Sequence, residues 1–203
     1  MKKKKLAVIF GGRSAEYEVS LQSAYSVISN IDAEKFDVIM LGITQNGEWY
    51  HYTGSAENIA DNSWSLDAGN MYEICFSQST ETGGFIEFAD GSYTTVKIDM
   101  AFPVLHGKNG EDGTMQGLLQ IAGLPYVGPS AYSSAVCMDK ATAKLLCERK
   151  RIKTAPFLLV RKTPDFDINR TVCETEEAFD YPVFVKPSNS GSSVGITKAK
   201  NRA

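Results

Sequence analysis

Leu6-Ala7-Val8-Ile9-Phe10 followed by Gly11-Gly12 constrains this chain more than any other feature. A strand with one solvated face alternates polar and apolar side chains; a continuously apolar run has no face to give to water. It must lie inside a sheet covered on both sides, and the double glycine ends it abruptly. Beyond the glycines, Leu21, Ala24, Ile28 and Ile31 recur at helical spacing, which predicts an amphipathic helix starting near Val19-Ser20. Phe36 to Ile43 reads as the next strand. Strand, helix and strand make a βαβ unit, so the sheet should be parallel with a right-handed crossover.

The following segments extend this α/β plan. Asn46-Gly47 is a hairpin-type turn before Trp49-Tyr50, and Asp90-Gly91 is a second one, between Phe85–Phe88 and Thr95–Ile98. Residues 54–70 read as an irregular polar surface excursion. Asp99 to Leu105 reads as a core strand ending at His106, Thr114 to Ala122 as a helix, and Pro125 to Gly128 as a short strand. From Ser133 to Lys150 the pattern is continuously helical, with a domain boundary near Met138-Asp139 that divides the chain into residues 1–138 and 139–203. Pro156–Val160 and Pro182–Lys186 read as strands around a helix at Glu174–Phe179. A glycine-serine loop, 187–195, then leads to a strand at Ile196–Lys198.

Composition narrows the function classes. Apolar residues make up 43% and charged residues 22% of the 203, a globular balance. A net charge of -3 gives no reason to expect a nucleic acid or an anionic membrane as partner. Lys2 to Lys5 read as a solvated start, and the apolar run behind them is too short for a secretory or membrane-spanning segment, so a cytoplasmic protein is expected. Cys75, Cys137, Cys147 and Cys173 lack metal-ligand or disulfide spacing, and each reads as a small buried hydrophobe. With only His51 and His106 besides, no zinc site is expected.

Three segments carry chemistry. In the first, Gly11 to Ser20, a glycine pair lets backbone approach a ligand, and a helix N-terminus presents N–H groups to an anion. No Gly-x-Gly-x-x-Gly or Gly-Lys-Ser/Thr is present, which counts against a nicotinamide or flavin oxidoreductase and against a P-loop. Alone, Glu16 reads as a favourable first-turn carboxylate. The second, His106 to Thr114, is a polar glycine-rich loop at the carboxyl end of a core strand, where open α/β sheets bind ligands; its plain alternative is a surface loop with a helix cap at Asp112 or Thr114. In the third, successive amides from Gly191 to Gly195, with Ser192, Ser193 and Lys186, suit a phosphate nest; a flexible hairpin connection is the alternative.

In this order the segments resemble the D-alanine-D-alanine ligase family of ATP-grasp enzymes. The matching residues are Phe10-Gly11-Gly12 with Ser14-Ala15-Glu16 and Glu18-Val19-Ser20; Leu105-His106-Gly107 with Gly110-Glu111-Asp112-Gly113 and Gln116-Gly117; Gly123 to Gly128; Met138-Asp139-Lys140; and Val185-Lys186-Pro187 with Gly191 to Gly195. They span nearly the whole chain.

The resemblance implies a pre-ATP-grasp-like parallel-sheet domain for substrate, then an incomplete central ATP-grasp α+β lobe. It implies ATP-dependent joining of two D-amino acids through an acyl phosphate, for peptidoglycan precursors, by a homodimer in the full-length enzyme. Glu16 would hold the ammonium of the first D-amino acid in a triad with Ser192 and a tyrosine beyond residue 203. Val19 would line the first substrate pocket, and His106 would sit beside the reacting carboxylate and phosphate. Lys140, Lys186, Ser193 and Gly191 would contact ATP. The Mg²⁺ ligands, adenine pocket and acceptor loop would lie beyond residue 203, so the 203-residue chain is expected to be inactive, with apolar surface and unpaired strand edges in its second part that favour disorder or pairing with another chain. Gly12 to Ser23, Gly42-Ile43-Thr44 and Gly47 to Tyr50 look closest to the vancomycin-resistance branch that makes D-alanyl-D-serine. The alternative function is a non-catalytic D-amino-acid or partner-binding module.

Overall fold

The described residues form nine strands and six helices: β1 Lys4–Gly11, α1 Tyr17–Asn30, β2 Phe36–Ile43, β3 Trp49–Tyr52, α2 Glu57–Ala60, β4 Met71–Phe76, β5 Gly84–Ala89, β6 Ser92–Lys97, β7 Met100–Pro103, α3 Thr114–Ile121, α4 Ala131–Met138, α5 Lys140–Arg149, α6 Ile168–Ala178, β8 Val183–Val185 and β9 Thr197–Ala199. They belong to a computed structural model that describes residues 2–202. The chain divides into two compact units, residues 1–135 and 136–203.

In the first unit the apolar run becomes the inner strand of a sheet ordered β6-β5-β4-β3-β2-β1-β7. β1 pairs in parallel with β2, Leu6 opposite Val38 and Phe10 opposite Gly42, and in parallel with β7 on its other side. Its side chains supply both cores. Ala7 and Ile9 pack with Leu41, Met115 and Leu119, whereas Val8 and Phe10 pack with Leu21, Ala24 and Trp64. Ala7 through Phe10 are all 0% exposed, the two-sided burial that their lack of polar alternation required. Each fully buried large apolar side chain contributes roughly 1.5–3 kcal/mol.

The sheet is parallel only in β2-β1-β7. From β2 outward, β3, β4, β5 and β6 pair antiparallel. The two hairpin turns signalled half of this extension. Asp90 and Gly91 both take positive φ (49° and 74°), the twist a two-residue hairpin needs, and Gly47 takes φ 94°. β4 had no clear signal.

Several expectations change in three dimensions. Residues 54–70 are more than a surface excursion: α2 and the short 3₁₀ turn Ser63–Leu66 carry Ile59 and Trp64, both fully buried. Trp64 packs edge-on at 5.0 Å from Phe10 and 6.0 Å from Tyr52, so an irregular polar stretch holds the largest core side chain. The strand expected at 125–128 is reduced to one bridge, Ala101 to Tyr126. None of the four cysteines is buried. Cys75, Cys137 and Cys173 are exposed and Cys147 is intermediate; on β4, pleat alternation turns Cys75 outward between the buried Ile74 and Phe76.

In the second unit the helix expected over 133–150 is interrupted at Asp139, whose extended backbone (φ -81°, ψ 105°) ends α4 and begins α5. β8 and β9 form an antiparallel pair, Val183 opposite Ala199. Residues 156–160 are not a strand: no partner ladder forms, and Leu158, Leu159 and Val160 are 41–47% exposed. α6 is longer than expected, beginning at an Asp167 cap whose carboxylate accepts from the Asn169 and Arg170 amides. Among the described residues no helix is long and apolar enough to cross a membrane.

Candidate functional site

The carboxyl ends of β1 and β7 lie side by side, and α1 leaves from one of them. Gly11 and Gly12 take φ of 85° and 100°. A Cβ at Gly11 would lie 2.1 Å from the Ile43 carbonyl oxygen, and the Gly12 amide donates to that same oxygen at 2.8 Å. Only glycine permits so close a crossing over β2. The fully buried Ser20, in the first turns of α1, locks the three elements. Its hydroxyl accepts from the Gly11 amide at 2.8 Å and donates to the Val104 carbonyl just past β7.

Above that lock, the Ser14 hydroxyl accepts from the Glu16 amide at 3.0 Å and donates to the His106 carbonyl at 2.8 Å. The Glu16 carboxylate lies against Gly107, where an added Cβ would come within 2.3 Å of Oε2. Gly107 also takes φ 69°, so two independent constraints keep this position small. His106 Nε2 lies 3.0 Å from the Ser23 hydroxyl on α1. The fold therefore gathers Glu16 and His106, 90 positions apart in sequence, around one serine.

The 107–113 loop is internally ordered. The Gly107 amide donates to Glu111 Oε2 at 2.8 Å, and the Asp112 carboxylate accepts from the Asn109 and Thr114 amides at 2.8 and 3.0 Å. Burial pushes the Asp112 carboxyl up, but those amides and the Thr114 hydroxyl prevail and hold it below the usual carboxylate range. Asp112 thus serves the start of α3, although left-handed Gly113 (φ 92°) occupies the cap position itself.

A cavity of about 360 Å³ opens beside this cluster, walled by Gly12, Trp49, Leu105, His106, Met115 and Leu118 with Arg13 and Lys108 also contributing. Glu16 and Val19 do not line it; Val19 stands on α1, 50% exposed.

The remaining candidates belong to the second unit. Lys140, the first residue of α5, donates through its ammonium to the Ser190 carbonyl and through its amide to the Ser188 carbonyl at 3.0 Å. Lys186 follows β8, its Nζ 5.9 Å from the centre of the Phe184 ring, and Lys198 Nζ lies 5.7 Å from the same ring. In the glycine-serine loop, Ser192 and Ser193 adopt left-handed φ (44° and 60°), a conformation that costs a non-glycine residue about 1–3 kcal/mol and concentrates at ligand clamps. The Val194 amide donates to the Gly191 carbonyl at 3.0 Å, so it is engaged inside the loop rather than offered to a nest. Among the described residues no group of three His, Cys, Asp or Glu side chains could hold a metal ion.

Ser14, Ser20, Ser23 and Ser188 carry this framework, and none stood out in the sequence as a positioning residue. A local signal existed for one: a serine accepting from the amide two residues on is a recurrent serine turn. The other three bond partners 49 or more positions away or in other elements, which spacing cannot show.

An open α/β sheet with Glu16 and His106 just beyond its parallel strand ends belongs to the class of α/β folds whose ligand sites, where present, lie at those ends. Comparison with known proteins narrows this. Residues 5–129 match the family model described as D-ala D-ala ligase N-terminus, and residues 146–203 match D-ala D-ala ligase C-terminus. The chain belongs to the D-alanine-D-alanine ligase family. It is 48% identical over its whole length to the D-alanine--D-alanine ligase of Caldicellulosiruptor bescii, covering 55% of that protein, and 47% identical over 98% of its length to that of Clostridium acetobutylicum, covering 54%. Among solved structures, the VanG D-Ala:D-Ser ligase from Enterococcus faecalis shares 48% identity at TM-score 0.82 over 97% of this chain and 55% of its own; the D-alanine-D-alanine ligase from Coxiella burnetii shares 30% at TM-score 0.80, over 98% and 57%. The chain spans about half the length of the curated relatives it matches.

Proposed function

We propose that this chain, at the full length of its relatives, is an ATP-dependent ligase joining two D-amino acids for peptidoglycan precursors in the cytoplasm. The observation that carries the reading is the convergence of Glu16 and His106 on Ser14 beyond the ends of β1 and β7. There the Glu16 carboxylate, against Gly107, suits the ammonium of a D-amino acid, and the His106 imidazole, held at Ser23 of α1, suits the reacting carboxylate. A carboxylate oxygen of the first substrate attacks the γ-phosphorus of ATP and ADP leaves. The amine of the second substrate then attacks the acyl carbon, loses a proton, and phosphate departs. Two anions must approach in the first step, and fixed positive charge and oriented donors offset their repulsion.

In this reading residues 1–138 bind substrate and 139–203 begin the ATP-grasp lobe. Glu16 and Ser192 act with a further tyrosine, Val19 borders the first substrate, and Lys140, Lys186, Ser193 and Gly191 address the phosphates of ATP. Support comes from the strained serines of the loop and from the Lys140 ammonium beside it. The described residues supply no metal cluster, so no step is assigned to Mg²⁺, whose ligands would come from the remainder of the protein. A homodimer is proposed for the full-length protein. For the acceptor, identity is 48% both to a D-Ala:D-Ser ligase and to a D-alanine--D-alanine ligase, so D-serine, and with it a role in vancomycin resistance, is proposed on the resemblance of residues 12–23, 42–44 and 47–50 alone.

The test is ADP release and dipeptide formation from ATP with D-alanine alone and with D-alanine plus D-serine. The full-length protein should form dipeptide and the 203-residue chain should not; ligand binding without product by the full-length protein would favour a binding module. Truncating Lys186 should lower turnover on the order of 10²-fold. Dipeptide formation unaffected by Glu16→Gln would sink the assignment of that carboxylate.

A further inference from the structure

Asp139 and Ser188 make a connection that neither the ligase reading nor the family comparison assigns. The Asp139 carboxylate has two partners: Oδ1 accepts from the Thr142 amide at 2.7 Å, capping α5, and Oδ2 accepts from the Ser188 hydroxyl at 2.7 Å. Ser188 lies 49 positions later, at the base of the glycine-serine loop. The same two segments are joined twice more, by the Lys140 amide to the Ser188 carbonyl and by the Lys140 ammonium to the Ser190 carbonyl. Residues 139–142 and 188–190 are thus held by a three-bond clasp with a lysine ammonium at its edge.

A helix cap needs only the bond to Thr142. The second carboxylate oxygen reaches a hydroxyl in a different segment, and this bond sets where the loop begins relative to the lysine. The side chain is solvent-accessible, yet its carboxyl is held down to about 2, first by the Ser188 hydroxyl and then by the Thr142 amide, so both bonds address the charged form. Lysine is a flexible point charge with several rotatable bonds, and its usefulness toward a phosphate depends on what holds it in place.

From this geometry we infer that Asp139 and Ser188 are positioning residues that hold the Lys140 ammonium beside the base of the phosphate-gripping loop. The inference rests on the proposed ATP reading of that loop. It also separates the two functions of Asp139, because Ser188→Ala removes the loop bond and leaves the helix cap intact.

The experiment is competitive acetylation of lysine amines in the full-length protein, read residue by residue by mass spectrometry, without nucleotide and across an ATP titration. Wild type, Ser188→Ala and Asp139→Ala are compared, with Lys150 as internal reference and helix content followed by circular dichroism. A charge-assisted hydrogen bond of ordinary strength predicts that Lys140 labelling rises roughly tenfold in both variants while Lys150 stays constant. The ATP concentration giving half protection of Lys140 should rise with it. Should Asp139→Ala lose its helix content, Ser188→Ala still decides the matter. Lys140 labelling at the wild-type level in Ser188→Ala reduces Asp139 to a helix cap and overturns the inference. Labelling that rises in the variants while ATP protects no lysine even in wild type sinks the nucleotide reading, and the positioning role with it.

Discussion

The two units of this chain are held by different physics. The first buries Phe10, Tyr52, Trp64 and Phe85 completely or nearly so around a seven-stranded sheet. In the second, no described residue from 136 onward is buried, while Leu145, Leu146, Phe184 and Val185 are 45–61% exposed. What orders the second unit is local: helix caps at Asp139 and Asp167, the Asp139–Ser188 clasp and one β pair. Burial of apolar area is the main cooperative source of stability, so the first unit has the means to be a cooperative fold and the second depends on hydrogen bonds each worth about 1 kcal/mol. Candidate chemistry follows the same division: Glu16 and His106 stand on a rigid core, whereas Lys140, Lys186 and the serine loop stand on a lightly packed frame.

Trp64→Ala should show the contrast most strongly. It empties a site packed by Phe10 and Tyr52 and should cost about 3–5 kcal/mol, seen as a shifted urea midpoint of the first unit. A loss below 1 kcal/mol would mean that this core is not what holds the unit. Gly11→Ala comes next, at about 2 kcal/mol or more, because the new Cβ meets the Ile43 carbonyl from a left-handed backbone. It should also weaken D-amino-acid binding, measured by calorimetry in the full-length protein, since the glycine crossing carries the Glu16 turn.

Ser20→Ala leaves the Gly11 amide and the Val104 carbonyl buried without their shared partner, a loss of about 1–3 kcal/mol. Equal stability of this variant and wild type in denaturant would show that water or a shift of α1 replaces the hydroxyl.

In the second unit the sharper probe is pH. Asp139 titrates near 2 when folded against 3.8 as an unperturbed group, so its contribution is complete above pH 3.8 and disappears as pH falls toward about 2. The protection factor of the Thr142 amide, its exchange rate relative to the intrinsic rate at each pH, should fall across that window in wild type, and Asp139→Ala should be unprotected throughout it. Leu145→Ala is the smallest change. With its side chain 53% exposed it should cost within about 0.5 kcal/mol, and a loss as large as that of Trp64→Ala would erase the distinction between the units.

Legibility in the sequence followed the same contrast. β1 could be placed from its apolar run because burial on both faces leaves no other composition possible, and β2, mostly apolar, begins and ends at Phe36 and Ile43 as expected. The hairpin turns were readable because positive φ restricts residue choice. Trp64 was hidden, since one aromatic in a polar stretch has no periodicity to reveal which side of the chain is covered. The break at Asp139 was hidden for another reason: its neighbours are good helix formers, and only the bond to Ser188 shows that the carboxylate serves two segments at once. For the candidate site, the glycine turns and the polar loops beyond the strands were visible. The serines that tie them together were not, because a hydroxyl's partner across 83 or 84 positions leaves no trace in local spacing.

The order of the residues by itself determined the central strand, the βαβ opening, the turn positions and the family pattern, all of which depend on local sterics and on the separation of apolar from polar side chains. Tertiary structure alone decided that β4 joins the two hairpins into one antiparallel extension beyond β2 and that Glu16 and His106 share one serine. It also decided that Asp139 is bound to the loop base. Hydrogen bonds and packing between distant segments depend on where the whole chain places them, and no window of sequence contains that information.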